Sequence, residues 1–162
     1  MTANNDHNTV LDYWFGTDPA GLPLTRLWFS GTAELDAELA ERFGALHAAA
    51  ASGELSHWEA EPQQALALVV LLDQFSRNLG RGSPAMFAHD DRAQALADRL
   101  LTEHAEAFSP ARIAALALCL SHAEDVEVVR RAERVLYRLT KLPLTRKGRK
   151  SYKNMRAPAR PP

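Results

Sequence analysis

The sequence predicts an all-α protein made of antiparallel helix pairs, and three observations support this fold class. Apolar residues recur three and four positions apart along almost the whole chain, which is the spacing of one face of an amphipathic helix. No segment alternates apolar and polar residues over the length of a half-buried strand. Most glycines and prolines stand between the periodic segments, where such residues typically end or begin helices.

Composition indicates one domain with an adequate hydrophobic core. The chain has 162 residues, of which 46% are hydrophobic and 24% charged, and a domain usually takes about 100–200 residues. These values exclude a wholly disordered chain. The longest apolar run, 65–72, is far shorter than the roughly 20 residues that cross a bilayer. We therefore expect a soluble helical domain that does not interact with a membrane.

The amino terminus and the only cysteine indicate a cytoplasmic protein. The first ten residues, MTANNDHNTV, contain no apolar stretch of the kind found in secretory signals. A single cysteine cannot form an internal disulfide, and Cys119 stands in the apolar run 113–120. We therefore expect a buried thiol in a reducing compartment.

Three helices are predicted in the first half of the chain. The first covers residues 10–15 and is followed by an ordered loop, 16–31, which contains an adjacent Trp-Phe pair. The second starts near Thr32 and stops at Gly53, a residue that readily takes the left-handed closing conformation. The apolar face of this helix consists of Leu35, Leu39, Phe43 and Leu46. The third begins at Pro62, and its sequence QQALALVVLLDQFSRN is apolar on nearly every side, so we expect it to be the central helix.

Three further helices are predicted after a glycine-rich break. They cover residues 90–105, residues 110–120 and a last segment that ends at residue 139. The start of the last helix has capping-box spacing, in which Ser121 caps the helix and Glu124 reaches back three residues.

The charge distribution divides the chain into a helical domain, 1–140, and a tail, 141–162. The tail contains four of the nine prolines, eight basic residues and no acidic residue, and such a composition predicts disorder. The domain carries 11 basic and 20 acidic residues, a net charge of −9, and therefore lacks the basic surface of a nucleic-acid-binding protein. Candidate partners of the tail are nucleic acid and the acidic domain itself.

Ionisable residues gather at two places beside the most apolar segments. Asp73 and Arg77 are four residues apart and therefore share a helix face, where they can pair. Burying such charges costs several kcal/mol unless they are compensated. The candidate ligand-binding residues are Asp73, Arg77, Asn78, Arg81 and Asp90 around the end of the third helix, and His122, Glu124 and Asp125 before the last helix.

Three interpretations of these residues remain open at the level of the sequence. In a structural one, Asp73 pairs with Arg77, and the acidic residues before the last helix cap it. In a non-catalytic one, Arg77, Arg81 and His122 line a cleft that binds a small anionic ligand or a peptide. In an enzymatic one, a hydrolase uses His122 as general base, and the two arginines stabilise developing negative charge.

Other kinds of site find little support in the sequence. The segment 122–125 lacks the three- or four-residue spacing of metal ligands on one helix face. The glycines around Arg81 are not followed by the Lys-Ser/Thr pair of a phosphate loop. Cys119 has no adjacent base, and no serine stands in a nucleophile-elbow sequence. We therefore expect neither a metal nor a cofactor.

Four segments carry a family resemblance. They are LDYWFG at 11–16, DAELAERFGALHAAAASGELSHW at 36–58, LALVVLLDQFSRNLGRGSPAMFAHD at 66–90 and HAED at 122–125. In these segments, and over roughly residues 10–140, the chain resembles the bacterial domain of unknown function 924. The resemblance implies a helical, tetratricopeptide-like fold with no assigned activity, cofactor or substrate. It also implies a shared polar cluster that includes Gln74.

The chain departs from the family pattern at several positions. Ser76 and Cys119 stand where a proline is usual, and Gly80 stands where an aromatic residue is common. Family members also look longer at the carboxyl end, with a further helix and a basic-aromatic segment that 141–162 replaces. Apolar surface left uncovered by such a helix would be exposed or covered by a partner chain, which makes self-association a candidate property. A shifted reading frame or a degenerate terminus is the other explanation of the tail.

Overall fold

Six helices form the part of the chain that the structure describes. The computed structural model describes residues 6–17 and 24–140, and no β-strand occurs in these two ranges. The helices are α1 (His7–Phe15), α2 (Ala33–Ser52), α3 (Pro62–Val69, Val70–Phe75 and Ser76–Leu79 in succession), α4 (Asp90–Glu103), α5 (Pro110–Ser121) and α6 (Val126–Thr140). Short 3₁₀ segments cover Leu24–Phe29, Ser56–Ala60, Pro84–Phe87 and Ala105–Ala107. The predicted all-α fold class is confirmed, whereas the tetratricopeptide-like arrangement stays a prediction.

Helix α3 is the centre of the fold, as its uninterrupted apolar sequence predicts. Every side chain from Ala65 to Leu72 is at most 2% exposed, and Phe75 is fully buried. The helix contacts α1, α2, α4 and α5. Burial on all sides explains why this helix has no polar face.

The middle of α3, Val70–Phe75, is π-helical, a feature that the periodicity of the sequence does not reveal. A π segment inserts extra backbone into an α-helix, and such segments are frequent at functional sites. Asp73, Gln74 and Ser76 lie in or directly after this segment, and they are buried polar residues in an otherwise apolar helix.

The predicted boundaries of α2 and α3 follow from local chemistry. The hydroxyl of Thr32 accepts a hydrogen bond from the backbone nitrogen of Leu35 at 3.2 Å and caps α2. Gly53 closes α2 with φ at 89°, a left-handed conformation that favours glycine. Pro62 occupies the first turn of α3, where its missing N–H has no cost.

One aromatic residue fixes the segment before α2, and its neighbour remains exposed. The ring of Trp28 stacks on Trp14, with centroids 6.2 Å apart, and its indole nitrogen donates to the backbone carbonyl of Trp14 at 3.0 Å. Phe29 is 67% exposed. The aromatic pair therefore has divided roles, since Trp28 anchors the segment and Phe29 faces outward.

The predicted capping box at the start of the last helix is wrong. Ser121 is the last residue of α5, and its hydroxyl donates to the carbonyl of Leu118 at 2.6 Å. The cap of α6 is Asp125, whose Oδ1 atom accepts from the backbone nitrogens of Glu127 at 2.8 Å and Val128 at 3.4 Å. The cause is the buried run that ends at Leu120, because its packing extends α5 through the position expected to start α6.

The predicted division into 1–140 and 141–162 remains a prediction, because residues 141–162 lie outside the described ranges. None of the described helices is both long and apolar enough to cross a membrane.

Replacing the cap of α6 tests its assignment. Asp125→Ala removes the acceptor of two backbone N–H groups, so it should lower the free energy of unfolding by about 1 kcal/mol. Glu124 is exposed, and Glu124→Ala should change that free energy by less than about 0.5 kcal/mol. Urea unfolding followed by circular dichroism measures both values. A larger loss for Glu124→Ala than for Asp125→Ala would instead support the capping box.

Candidate functional site

The two polar groups of the sequence meet around one buried carboxylate. Asp73 is fully buried in the π-helical segment of α3. The Nη1 atom of Arg77 lies 3.1 Å from the Oδ1 atom of Asp73, as expected for residues four positions apart on a helix. The Nδ1 atom of His122, which directly follows α5, lies 2.9 Å from the same oxygen.

Asp73 is held in its ionised form. Burial by itself raises the pKa of a carboxyl, but the hydrogen bond and charge of His122, the charge of Arg77 and a hydrogen bond from the amide of Gln74 hold the pKa of Asp73 below its usual range. Because a carboxylate only accepts hydrogen bonds, the Nδ1 atom of His122 carries a proton. The Nε2 atom of His122 is then the nitrogen available to other partners.

The guanidinium of Arg77 is enclosed by two carboxylates. Its Nη1 and Nη2 atoms donate to the two oxygens of Asp90 at 2.9 and 3.0 Å. Nη1 also donates to the backbone carbonyl of Asp73 at 3.3 Å. Burial lowers the pKa of Arg77, but the hydrogen bond with Asp90 and the charges of both aspartates raise it above its usual value. Arg77 is therefore always positively charged, and its guanidinium already pairs with the carboxylates of Asp73 and Asp90.

A glycine brings an aromatic ring to Arg77. A Cβ atom at position 80 would lie 2.5 Å from the backbone nitrogen of Met86, so the close packing of Pro84–Phe87 on the end of α3 requires Gly80. The ring of Phe87 lies 5.6 Å from the guanidinium carbon of Arg77 and is half exposed. Gly80 therefore allows this ring to lie beside the guanidinium of Arg77.

Asp36, on the first turn of α2, is a site residue that the sequence analysis missed. It accepts hydrogen bonds from Nδ2 of Asn78 at 2.8 Å and from Nε and Nη2 of Arg81 at 2.5 and 3.0 Å. The hydrogen bond from Arg81 lowers the pKa of Asp36, burial opposes this effect, and the hydrogen bond from Asn78 adds to it. Asp36 follows Leu35 of the apolar face of α2, but no local spacing indicates partners that lie 42 and 45 residues away along the chain.

These residues border a cleft of about 180 Å³. Its lining comes from the segment before α2 (Trp28, Phe29, Ser30 and Gly31), from α3 and the residues after it (Gln74, Arg77, Asn78 and Arg81), and from α5 and its end (Leu118 and His122). A Cβ atom at position 31 would lie 3.0 Å from Nη1 of Arg81. The glycine at this position therefore lets the guanidinium lie against the backbone of the opposite wall.

Two nitrogens at the cleft retain donor or acceptor capacity. Nε and Nη2 of Arg81 are bonded to Asp36, so Nη1 has no hydrogen-bond partner among the described residues. Likewise, Nδ1 of His122 is hydrogen bonded to Asp73. Its Nε2 atom has no hydrogen-bond partner among the residues that the structure describes. Both side chains are held by carboxylates and are therefore fixed before any ligand arrives.

The remaining candidates from the sequence lie outside the cleft. Asp125 caps α6, Glu124 is exposed, and Asp90 stands behind Arg77 rather than among the lining residues. Cys119 is fully buried, and burial together with the charge of Asp73 raises the pKa of its thiol well above the usual value. Within residues 6–17 and 24–140, no three His, Cys, Asp or Glu side chains form a group that could hold a metal ion.

Comparison with known proteins assigns the chain to a family. The model of a family described as "bacterial protein of unknown function (DUF924)" matches residues 10–158. The chain belongs to the DUF924 family. The matched range continues past residue 140, where the sequence analysis ends the resemblance, and includes most of the basic segment.

A solved structure supports membership of the DUF924 family. It is a protein of unknown function from Agrobacterium tumefaciens, 33% identical in sequence, and the two superpose with a TM-score of 0.69. The match covers 83% of this chain and 78% of that chain. The search of curated proteins finds no match.

The ionised Asp73 should be visible in the pH dependence of stability. Because its pKa is lowered in the folded state, Asp73 contributes stability above its unfolded pKa of about 3.9, and this contribution is lost as the pH falls through the lower folded pKa. Asp73→Asn removes this titration. The variant should be less stable at pH 7, and its free energy of unfolding should depend less steeply on pH below about 4.

Urea unfolding between pH 2 and pH 7 measures this difference. Asp91→Asn, an exposed substitution on α4, is the matched control and should follow the wild-type curve. Parallel curves for Asp73→Asn and the wild type would show that folding does not lower the pKa of Asp73.

Proposed function

We propose that this chain is a non-catalytic binding module. Its cleft takes the anionic group of a small ligand or of a peptide. Arg81 donates to this group, and the Nε2 atom of His122 accepts from a donor group beside it. Asp36 and Asp73 position these two residues, and Asn78 lines the same cleft.

The observation that carries this proposal is the hydrogen bonding of the Arg81 guanidinium. Two of its guanidinium nitrogens are held by Asp36 at 2.5 and 3.0 Å, while the third has no partner among the described residues and the side chain is 45% exposed. A guanidinium can donate to a carboxylate or phosphate through each of its nitrogens. A side chain already fixed in its binding position loses less conformational entropy when the ligand binds.

The charges of the site set the manner of binding. Asp36, Asp73 and Asp90 oppose Arg77 and Arg81, which leaves a formal charge of −1 when His122 is neutral. An anion is therefore held by a directed hydrogen bond from Nη1 of Arg81 rather than by general attraction. The Nε2 atom of a neutral His122 only accepts, so it bonds an N–H or O–H group of the ligand. This supports a revised role for Arg77, which acts as the counter-ion of Asp73 and not as a direct ligand contact.

Replacing Arg81 tests the binding module. Acetate and inorganic phosphate serve as probes, and the indole N–H resonance of Trp28, which lines the cleft, serves as reporter. Both anions should shift this resonance in the wild type. Arg81→Ala should weaken the binding about tenfold, since a hydrogen bond to a charged group contributes about 1.5–3 kcal/mol.

Arg42→Ala is the matched control for Arg81→Ala. Arg42 is 48% exposed and pairs with Glu38 at 3.0 Å, but it does not line the cleft. The Arg42→Ala variant should therefore bind acetate and phosphate as tightly as the wild type does. An unshifted Trp28 resonance in the wild type, or equal affinities in the Arg81→Ala and Arg42→Ala variants, would remove the proposal.

The geometry of His122 favours a hydrolase as the second candidate function. A buried carboxylate that accepts from Nδ1 of a histidine orients the imidazole and leaves Nε2 to take a proton from a bound water. The adjacent Arg81 would stabilise negative charge on the reacting group. The thiol of Cys119 has no part in this scheme because it is buried and its pKa is raised.

A turnover assay separates the two functions. For a binding module we expect no wild-type turnover in a panel of chromogenic esters, phosphoesters and glycosides. Turnover that is lost in His122→Gln but retained in His57→Gln, an exposed histidine outside the cleft, would establish the hydrolase instead.

A further inference from the structure

Two amides in the cleft have fixed orientations. The Nε2 atom of Gln74 donates to Asp73, and the Nδ2 atom of Asn78 donates to Asp36 at 2.8 Å. A carboxylate only accepts hydrogen bonds, so in each case the amide nitrogen must face the carboxylate. The two carbonyl oxygens, Oε1 and Oδ1, are therefore the groups left for other partners.

These two oxygens form an acceptor pair without an internal donor. Gln74 and Asn78 are four residues apart on α3, and both line the cleft. Neither oxygen has a hydrogen-bond partner among the described residues, although Gln74 is only 7% exposed. The buried side-chain atoms without a partner among the described residues are the hydroxyl of Tyr13 and the indole nitrogen of Trp14. The two amide oxygens are therefore open to the cleft, where a ligand that supplies N–H groups can reach them.

The charge around the cleft favours a cationic nitrogen as that donor. Three carboxylates face two guanidiniums at the site, and two of the carboxylates, Asp36 and Asp73, stand directly behind the amides. An ammonium group near the amide oxygens would balance the remaining negative charge, whereas a second carboxylate would increase it.

A hydrogen-bond donor, hydrogen-bond acceptors and apolar groups all line the same small cleft. Arg81 offers Nη1 as a donor for an anionic oxygen, and Trp28, Phe29 and Leu118 offer an aromatic and apolar wall. The cleft volume of about 180 Å³ corresponds to about six water molecules. The ligand must therefore place a donor nitrogen, an anionic group and an apolar group within a few bonds of one another.

We propose that the ligand of this cleft is an α-amino acid with an apolar or aromatic side chain. Its nitrogen donates to Gln74 and Asn78, its carboxylate accepts from Arg81, and its side chain packs on Phe29. This inference rests on the proposed binding function and gives it a ligand class. The same chemistry occurs in a free amino acid and in the carboxyl-terminal residue of a peptide, where the amide N–H replaces the ammonium.

Ligand analogues test the inference on the unmodified protein. The probes are L-phenylalanine, 3-phenylpropionate, which lacks the nitrogen, phenylalaninamide, which lacks the carboxylate, and glycine, which lacks the side chain. Calorimetry and the Trp28 indole resonance measure binding, and the indole of Trp58, which does not line the cleft, is the internal reference. L-Phenylalanine should bind at least about tenfold more tightly than each analogue.

The outcomes distinguish failure of the amino-acid assignment from failure of the proposed binding function. Equal binding of L-phenylalanine and 3-phenylpropionate would overturn the amino-acid assignment and leave the anion-binding module intact. Failure of all four probes and of acetate and phosphate would overturn both. Comparison of L-phenylalanine with glycyl-L-phenylalanine shows whether the source is a free amino acid or a peptide terminus, because the better ligand identifies it.

A variant tests the acceptor role of Gln74. Gln74→Met keeps the length of the side chain but removes the carbonyl oxygen, so it should weaken L-phenylalanine binding about tenfold and leave 3-phenylpropionate binding unchanged. An equal loss for both probes would point to a structural role instead. Thermal unfolding shows whether the Gln74→Met variant is folded. If this variant does not fold, the analogue series on the wild-type protein tests the inference.

Discussion

The structure depends on the compensation of one buried charge, the carboxylate of Asp73. An ionised side chain in the centre of an apolar helix is strongly unfavourable unless it is paired and hydrogen bonded. Asp73 meets this condition through Arg77, His122 and Gln74. Since these partners come from α3 and from the end of α5, the carboxylate also joins the two most apolar helices at one point.

This compensation determines what the cleft can offer to a ligand. Arg77 and the amide nitrogen of Gln74 are used to stabilise Asp73, and Asp36 uses most of the guanidinium of Arg81. The donors and acceptors that remain are single atoms on side chains whose other polar atoms are already hydrogen bonded. The carboxylates that hold these side chains also fix the directions of the remaining atoms. Selectivity at such a site comes from the positions of donors and acceptors more than from net charge.

The sequence predicted the fold well because helix periodicity and capping are local properties. The Asp73–Arg77 pair was also predictable, since both residues lie on one helix. The capping box failed because packing of the apolar run 115–120 extended α5 beyond its expected end. Asp36 was missed for a different reason, because its partners are 42 and 45 residues away and no local spacing reveals them.

The long-range contacts of Asp36 also determine which atoms of the arginines are free to bind a ligand. The sequence alone predicts that Arg77, Arg81 and His122 line a cleft for an anionic group. In the structure each guanidinium faces its own carboxylate, so the attraction between opposite charges is largely satisfied within the protein. The free donors and acceptors can therefore be identified only after every internal hydrogen bond has been assigned. The same carboxylates that hold α2, α3 and α5 together orient the groups that would contact a ligand, and stability and binding at this end of the molecule are consequently coupled.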